Sequence, residues 1–342
     1  MLQNFKSSEI KKNNKLTKNF LNAEFKELNI NCNIYNGEFY LDSFNYFIIN
    51  EEFKTFDNLF TRDINQNNSH FFTKDFFTNF KNKIDNYKEH KKVYVLGSNA
   101  GNNYYSNLLQ FLPRIFFIND KKIKIAIHRN SSTKFRDFIT LILNEKGIKF
   151  SFVYLDDGFY KFTESKIPQF LSLDKSIMIL KNFLIPKSID SVDKKIYVTR
   201  EDSSYRKIVN EADIVPILRA KGYKVINPQL YKIEEQIRIF SQADKVIAPH
   251  GSNLSNIIFC KPGTQIIEVG PKFDNNFEQI FENRYENLAK INNLNYNRLI
   301  ADTVPVDNHS SVSNKYIDQK ILNTSNYYKN LILKISDLDN LE

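Results

Sequence analysis

The chain has 342 residues, 42% of them hydrophobic and 25% charged, with 30 Phe and 18 Tyr. That length fits two domains of ordinary size, and the large apolar side chains suffice to fill two cores, which excludes a globally disordered chain. The net charge of +9 comes from lysines dispersed among asparagines rather than from a basic and aromatic stripe, so nucleic acid is not an expected partner.

No stretch approaches the roughly 20 apolar residues that span a bilayer. The start, Met1 to Lys6, lacks the apolar core of an export signal, so a cytoplasmic location is expected. Lys11, Lys12, Lys15 and Lys18 form the densest N-terminal basic cluster, a candidate for peripheral contact with the anionic inner membrane surface. Cys32 and Cys260 have no CxxC-like spacing, which predicts free thiols and no structural zinc.

Taken in chain order, residues 1–90 read as a β-rich N-terminal extension and linker. Aromatic runs flank Asn36-Gly37, a hairpin signal. Phe71 to Tyr87 has no clean periodicity and is an undecided helix or linker. Residues 91–186 alternate strands and helices: strand Val93–Leu96, helix Asn102–Phe117, strand Lys122–Ile127, helix Phe135–Asn144 and strand Ile148–Leu155. Such alternation predicts a parallel sheet covered on both faces. A turn-rich piece with the apolar run Ile177–Ile185 then crosses to a second α/β series over residues 187–300. Its strands are Lys195–Thr199, Tyr223–Asn227, Lys245–Ala248 and Gln265–Val269, and its helices Glu211–Lys221, Ile233–Ala243, Asn253–Cys260 and Phe277–Ile291. Residues 301–342 form a tail, with a last helix over Tyr316–Leu333 packed back on a domain.

Val246 to Pro271 carries the chemistry of the second series. An apolar strand ends at Pro249, Gly251 allows a sharp turn, and Ser252 or Asn253 caps the following helix. In an open parallel sheet the turn at a strand's carboxyl end faces the ligand crevice, and a helix starting there offers unpaired N–H groups to an anion. His250 sits on that turn. Thr199-Arg200 ends the first strand of the same domain, followed by Arg206 and Asn210-Glu211, and arginines so placed can grip a diphosphate by bidentate contacts.

At these residues the chain resembles glycosyltransferase family 61. The resemblance rests on Ile196-Tyr197-Val198-Thr199-Arg200, Arg206, Asn210-Glu211, Gly222-Tyr223, Glu235-Gln236, Ala243, Pro249-His250-Gly251-Ser252-Asn253-Leu254-Ser255-Asn256-Ile257-Ile258-Phe259, Pro262-Gly263 and Ile267-Glu268. It implies a GT-B architecture, two Rossmann-like domains facing a crevice, and inverting transfer from a nucleotide-sugar donor to a glycan or lipid-linked acceptor. By the same resemblance the C-terminal domain holds the donor through Arg200, Arg206, Asn210, Glu211, His250, Gly251, Ser252, Asn253, Asn256 and Glu268. The arginines would replace a metal ion in neutralising the leaving diphosphate, so no metal and no cofactor are expected.

The N-terminal half departs from the pattern. Before Leu112-Pro113-Arg114 the family's helix usually carries a His and, four residues on, an acid; here those places hold Ser106 and Gln110, neither a good proton acceptor. Asp156 and Asp157, after the third strand, and His128, at the end of the second, are alternative bases, although Asp156-Asp157-Gly158 also reads as a simple turn. His250 completes the catalytic candidates. A bacterial surface-polysaccharide transferase is the first reading, and a nucleotide-sugar or glycan-binding protein without turnover is the alternative. An epimerase on the same scaffold fits the C-terminal motif less well.

Overall fold

The computed structural model describes residues 19–44, 46–50, 56, 60, 87–97, 103–185, 194–273, 278, 281–306 and 324–339. The basic cluster at 11–18, most of Phe71–Tyr87 and the start of the expected helix at Phe277 lie outside them. The chain divides into two compact units, Met1–Leu180 and Lys181–Glu342.

The first unit is built on an eight-stranded sheet in which β1 (Phe20–Phe25), β2 (Ile30–Asp42), β8 (Phe159–Pro168), β5 (Tyr94–Val95), β6 (Lys122–His128) and β7 (Lys149–Leu155) lie in that spatial order. β3 (Phe47–Asn50) pairs with β2, and β4 (Lys88–Lys91) with β8. β5, β6 and β7 are parallel, as their alternation with helices predicts, but β1, β2 and β3 run antiparallel and β2 is antiparallel to β8. The sheet is therefore mixed, and the β-rich N-terminal segment is hydrogen-bonded into it.

Two local readings change. Asn36-Gly37 is not a hairpin turn: both residues lie inside β2, where the register against β8 shifts between Gly37 and Phe39. A Cβ at Gly37 would stand 3.1 Å from the Tyr35 hydroxyl, so the glycine serves a bulge under that ring. β8 lies in the piece whose sequence is turn-rich: Asp156-Asp157-Gly158 precedes it, and Lys161, Glu164 and Lys166 interrupt its apolar positions. It pairs with β4 through Thr163 and with β5 at Lys166, and between them Glu164 takes a left-handed conformation, φ 48°.

After β5 the helical segment starts as Tyr104–Ser106, opens into a π turn at Asn107–Phe111 and tightens into a 3-10 turn at Leu112–Phe117. Pro113 removes one ladder donor, which explains why no regular helix continues through it. α1 (Thr133–Glu145) is capped by the Ser132 side chain, which accepts from the Phe135 amide, and buries Phe135, Phe138, Ile139, Ile142 and Leu143. α2 (Leu173–Leu184) follows β8.

The second unit holds β9 (Lys195–Val198), α3 (Glu211–Ala220), β10 (Lys224–Ile226), α4 (Ile233–Gln242), β11 (Lys245–Pro249), β12 (Gln265–Gly270), α5 (Arg284–Ile291) and β13 (Asn295–Ile300). Its five strands are all parallel in the order β10-β9-β11-β12-β13. This is a doubly wound sheet whose connections reverse direction between β9 and β11. Beyond it, β14 (Asp302–Val304) pairs antiparallel with β15 (Asn330–Ile332), and α6 (Ser336–Asp339) ends the described chain. Residues 330–332 are thus a strand where a helix was expected, because the Leu331 amide and carbonyl bond Lys207 and Val209. Leu331, Leu333 and Leu338 join Tyr197, Ile214, Leu218, Ile247 and Ile267 in one core. No helix among the described residues is long and apolar enough to cross a membrane.

Candidate functional site

A doubly wound sheet opens its ligand crevice at the carboxyl ends of the strands flanking the reversal point. In the second unit these are β9, which leads into Thr199-Arg200, and β11, which leads into His250-Gly251. The β-branched run Val246-Ile247 and its neighbours are wholly buried, so the strand ends present these residues at a fixed place.

Arg200 lies against the Gly251 backbone so closely that a Cβ there would fall 1.8 Å from Nη1. Gly251 has an extended φ of 169°, so the residue is needed for this approach and not for a sharp turn. Among the described residues the Arg200 side chain donates to the Tyr205 carbonyl alone, 3.3 Å away. Arg206 is buried, with φ 57°, and its Nη1 donates to the Tyr327 carbonyl at 3.4 Å. Its guanidinium lies 4.0 Å from the Tyr327 ring centroid and 4.6 Å from that of Tyr205. The Nε atoms of both arginines are buried and unpaired, and neither side chain meets a carboxylate among the described residues. Burial and the neighbouring Arg206 charge push the Arg200 guanidinium down to about 10. Two close cations without a counter-ion are costly to bury, and an anion entering from the crevice offsets that cost.

The segment after Gly251 is a 3-10 turn over Ser252–Phe259, not a regular α-helix. Ser252 and Asn253 are half-buried, and as its first residues they have amides that the helical ladder leaves without a partner. Asn256 is buried and donates to the Gln236 side chain, so it ties this turn to α4.

His250 is buried, and its Nδ1 lies 2.5 Å from Glu268 Oε1. Burial pushes the imidazole down to about 4 against the opposing pull of Glu268, so the ring is neutral near pH 7. Burial pushes the carboxylate up, but His250 and Arg298 together outweigh it and hold the group below its usual range, and it accepts the Nδ1 proton as a hydrogen bond. Nε2 is then left with its lone pair. Glu268 Oε2 accepts from the Tyr296 hydroxyl at 2.8 Å, so both oxygens are occupied and the residue orients His250 from below. Phe273, Tyr285 and Tyr327 surround the imidazole edge-on.

Asn210 and Glu211 face inward. Glu211 accepts from the hydroxyls of Tyr197 and Thr199, fixing the strand end that carries Arg200. Asn210 brackets Leu333 through its carbonyl and amide, tying the tail to α3.

In the first unit, Asp156 and Asp157 follow β7 beside the end of β6. Asp156 pairs with Arg129 at 2.6 Å, and that bond is the main cause of its lowered pKa. Asp157 accepts from His128 Nε2 at 3.0 Å. His128 Nδ1 accepts the Asn130 amide, which fixes the tautomer with the proton on Nε2. Burial lowers the His128 pKa, so both ring nitrogens are engaged and the half-exposed Asp157 carboxylate is the outward member. Ser106 ends the first helical turn and Gln110 stands on the π turn, where the Gln110 Oε1 and Asn107 Nδ2 atoms are buried without partners among the described residues. Arg114, in contrast, is wholly buried with all three nitrogens engaged: it donates to Pro168, Leu96, Val95 and Tyr46.

The model of the Glycosyltransferase 61 family matches residues 55–267, more than half of the chain. The chain belongs to glycosyltransferase family 61. A search among curated proteins finds no match. As a family 61 member the chain is a glycosyltransferase, with a donor and an acceptor as substrates. The matched region contains Arg200, Arg206 and His250, while Glu268, Tyr296, Arg298 and Tyr327 lie beyond it. Of the residues gathered here, Glu268 is named by the sequence, whereas Tyr205, Tyr285, Tyr296, Arg298 and Tyr327 are not. The alternation of Tyr296, Arg298 and Ile300 was the one available sign of β13, and the Asn-rich composition obscured it. No three His, Cys, Asp or Glu side chains converge among the described residues.

Proposed function

We propose that this family 61 protein is an inverting glycosyltransferase of GT-B architecture that moves a sugar from a nucleotide donor to a glycan or lipid-linked acceptor. The observation that carries the reading is the Arg200–Arg206 pair: two close guanidinium groups at the reversal point of a doubly wound sheet, with Nε atoms unpaired and no carboxylate partner among the described residues. A diphosphate supplies the missing charge in a geometry that guanidinium forks match. The Ser252 and Asn253 amides add donors at the same strand end. As the glycosidic bond to the donor breaks, charge grows on the leaving phosphate, and fixed cations stabilise it there in the manner of an oxyanion site, the role a metal would otherwise fill. His250, neutral and oriented by Glu268, accepts a donor hydroxyl at Nε2. Asn210, Glu211, Asn256 and Glu268 support the site from behind.

The acceptor hydroxyl must lose its proton as it attacks the anomeric carbon from the face opposite the leaving group. Asp157, braced by His128, is the proposed base, and Asp156 is the weaker candidate because Arg129 neutralises it. A cytoplasmic, membrane-peripheral place in bacterial surface-polysaccharide synthesis fits the basic N-terminal cluster and the absence of a spanning helix among the described residues.

One observation favours binding without turnover: Ser106 and Gln110 occupy the places of the usual acid–base pair. Incubation with a panel of nucleotide sugars, with and without acceptor glycans, separates the two by following nucleoside diphosphate release. Acceptor-dependent release supports transfer. Donor binding by NMR with no release for any acceptor supports the binding protein.

A further inference from the structure

The strongest observation outside the matched family region is the C-terminal segment Ser325–Tyr328, which brings Tyr327 onto the arginine pair. One face of the Tyr327 ring lies 4.0 Å from the Arg206 guanidinium carbon, and the ring stacks on Phe281 with centroids 4.5 Å apart. Its carbonyl takes Arg206 Nη1, and the Arg206 amide donates to the Lys329 carbonyl at 2.9 Å. The segment is latched from behind. The buried Glu278 carboxylate accepts from the Ser325 hydroxyl and, at 3.2 Å, from the Tyr327 amide. Arg206 itself has a left-handed backbone, φ 57°, a conformation that persists only where surrounding contacts impose it. A free arginine side chain would have to be ordered when an anion binds, at an entropic cost that a preformed stack removes.

We propose that Tyr327 is a positioning residue of the donor site, whose ring and carbonyl hold the Arg206 guanidinium in the orientation that meets the donor's diphosphate. The inference rests on the diphosphate reading of the arginine pair. It makes the C-terminal segment, sixty residues past the matched region, part of the site and not an appendage.

The test uses the full chain with inorganic pyrophosphate as the probe, titrated calorimetrically. Tyr327→Phe keeps the aromatic face and is expected to bind within about 3-fold of the wild type, whereas Tyr327→Leu, which loses it, binds about 10-fold more weakly. In an Arg206→Lys background, which cannot use the stack in the same way, Tyr327→Leu is expected to add no more than about 2-fold. Thermal unfolding of each variant monitors folding, and Tyr327→Met replaces the Leu variant if that one does not unfold cooperatively. Unchanged pyrophosphate affinity in Tyr327→Leu overturns the proposal, as do losses at 206 and 327 that simply multiply. If the wild type itself binds no pyrophosphate, the diphosphate reading fails and this one with it. If the wild type binds and only the Tyr327 effects are missing, the inference alone fails.

Discussion

At Gly251 a single hydrogen in place of a methyl decides whether Arg200 can lie over the turn. Because the backbone there is extended, alanine meets no conformational penalty, and the cost falls on the guanidinium that its Cβ would strike at 1.8 Å. Gly251→Ala is expected to unfold near the wild-type temperature yet to weaken nucleoside diphosphate binding by about 10-fold or more. His250 and Glu268 give a second residue-scale outcome. The folded histidine resists protonation until about pH 4, whereas its ordinary value is 6.5. The unfolded chain therefore binds more protons across that window; for Glu268, whose folded value is depressed from 4.5, it does so only below about pH 4.5. Stability is complete above about pH 6.5 and falls as pH drops toward 4, by roughly 3 kcal/mol for the histidine. Denaturant titrations of wild type and His250→Asn over that range test this: the variant should show a flatter acid limb, and parallel limbs would contradict it.

Among the elements, the segment from Tyr104 to Phe117 separates packing from chemistry. Arg114 sits in the Leu-Pro-Arg motif that helped to suggest the family, and the structure gives it four carbonyl or hydroxyl acceptors and a cation–π contact with Phe170 at 4.3 Å. Lysine cannot reproduce that fork. Arg114→Lys is expected to lower unfolding free energy by on the order of 3 kcal/mol, measured by denaturant titration, because buried acceptors lose their donors. The strands and helices around Arg200 and His250 were legible because β-branched runs, Pro-Gly stops and helical periodicity agree with one another there. β8 and β13 were not, since charged or Asn-rich positions broke their alternation, and tertiary pairing decided them. Arg200, Arg206 and His250 were readable from their strand-end positions. Tyr327 was not, because nothing local in Asn326-Tyr327-Tyr328 says which distant guanidinium it will meet.

For the whole molecule, family membership makes the chain a glycosyltransferase, and the doubly wound second unit carries the arginine pair proposed to bind the donor. The first unit supplies the Asp157–His128 pair. If Asp157 is the base, Asp157→Asn abolishes acceptor-dependent release while leaving donor affinity within about 2-fold, since the arginine pair proposed to hold the donor belongs to the other unit; full activity in that variant would exclude Asp157 as the base. The central claim is that Arg200 and Arg206 hold the donor's diphosphate. Its most direct test is calorimetric titration of nucleoside diphosphates, against the matching nucleosides, into wild type, Arg200→Ala and Arg206→Ala. Each substitution is expected to weaken the diphosphates by about 10-fold or more and to leave nucleoside binding unaltered; diphosphate affinities equal to wild type in both variants would rule out the arginine pair as the diphosphate site.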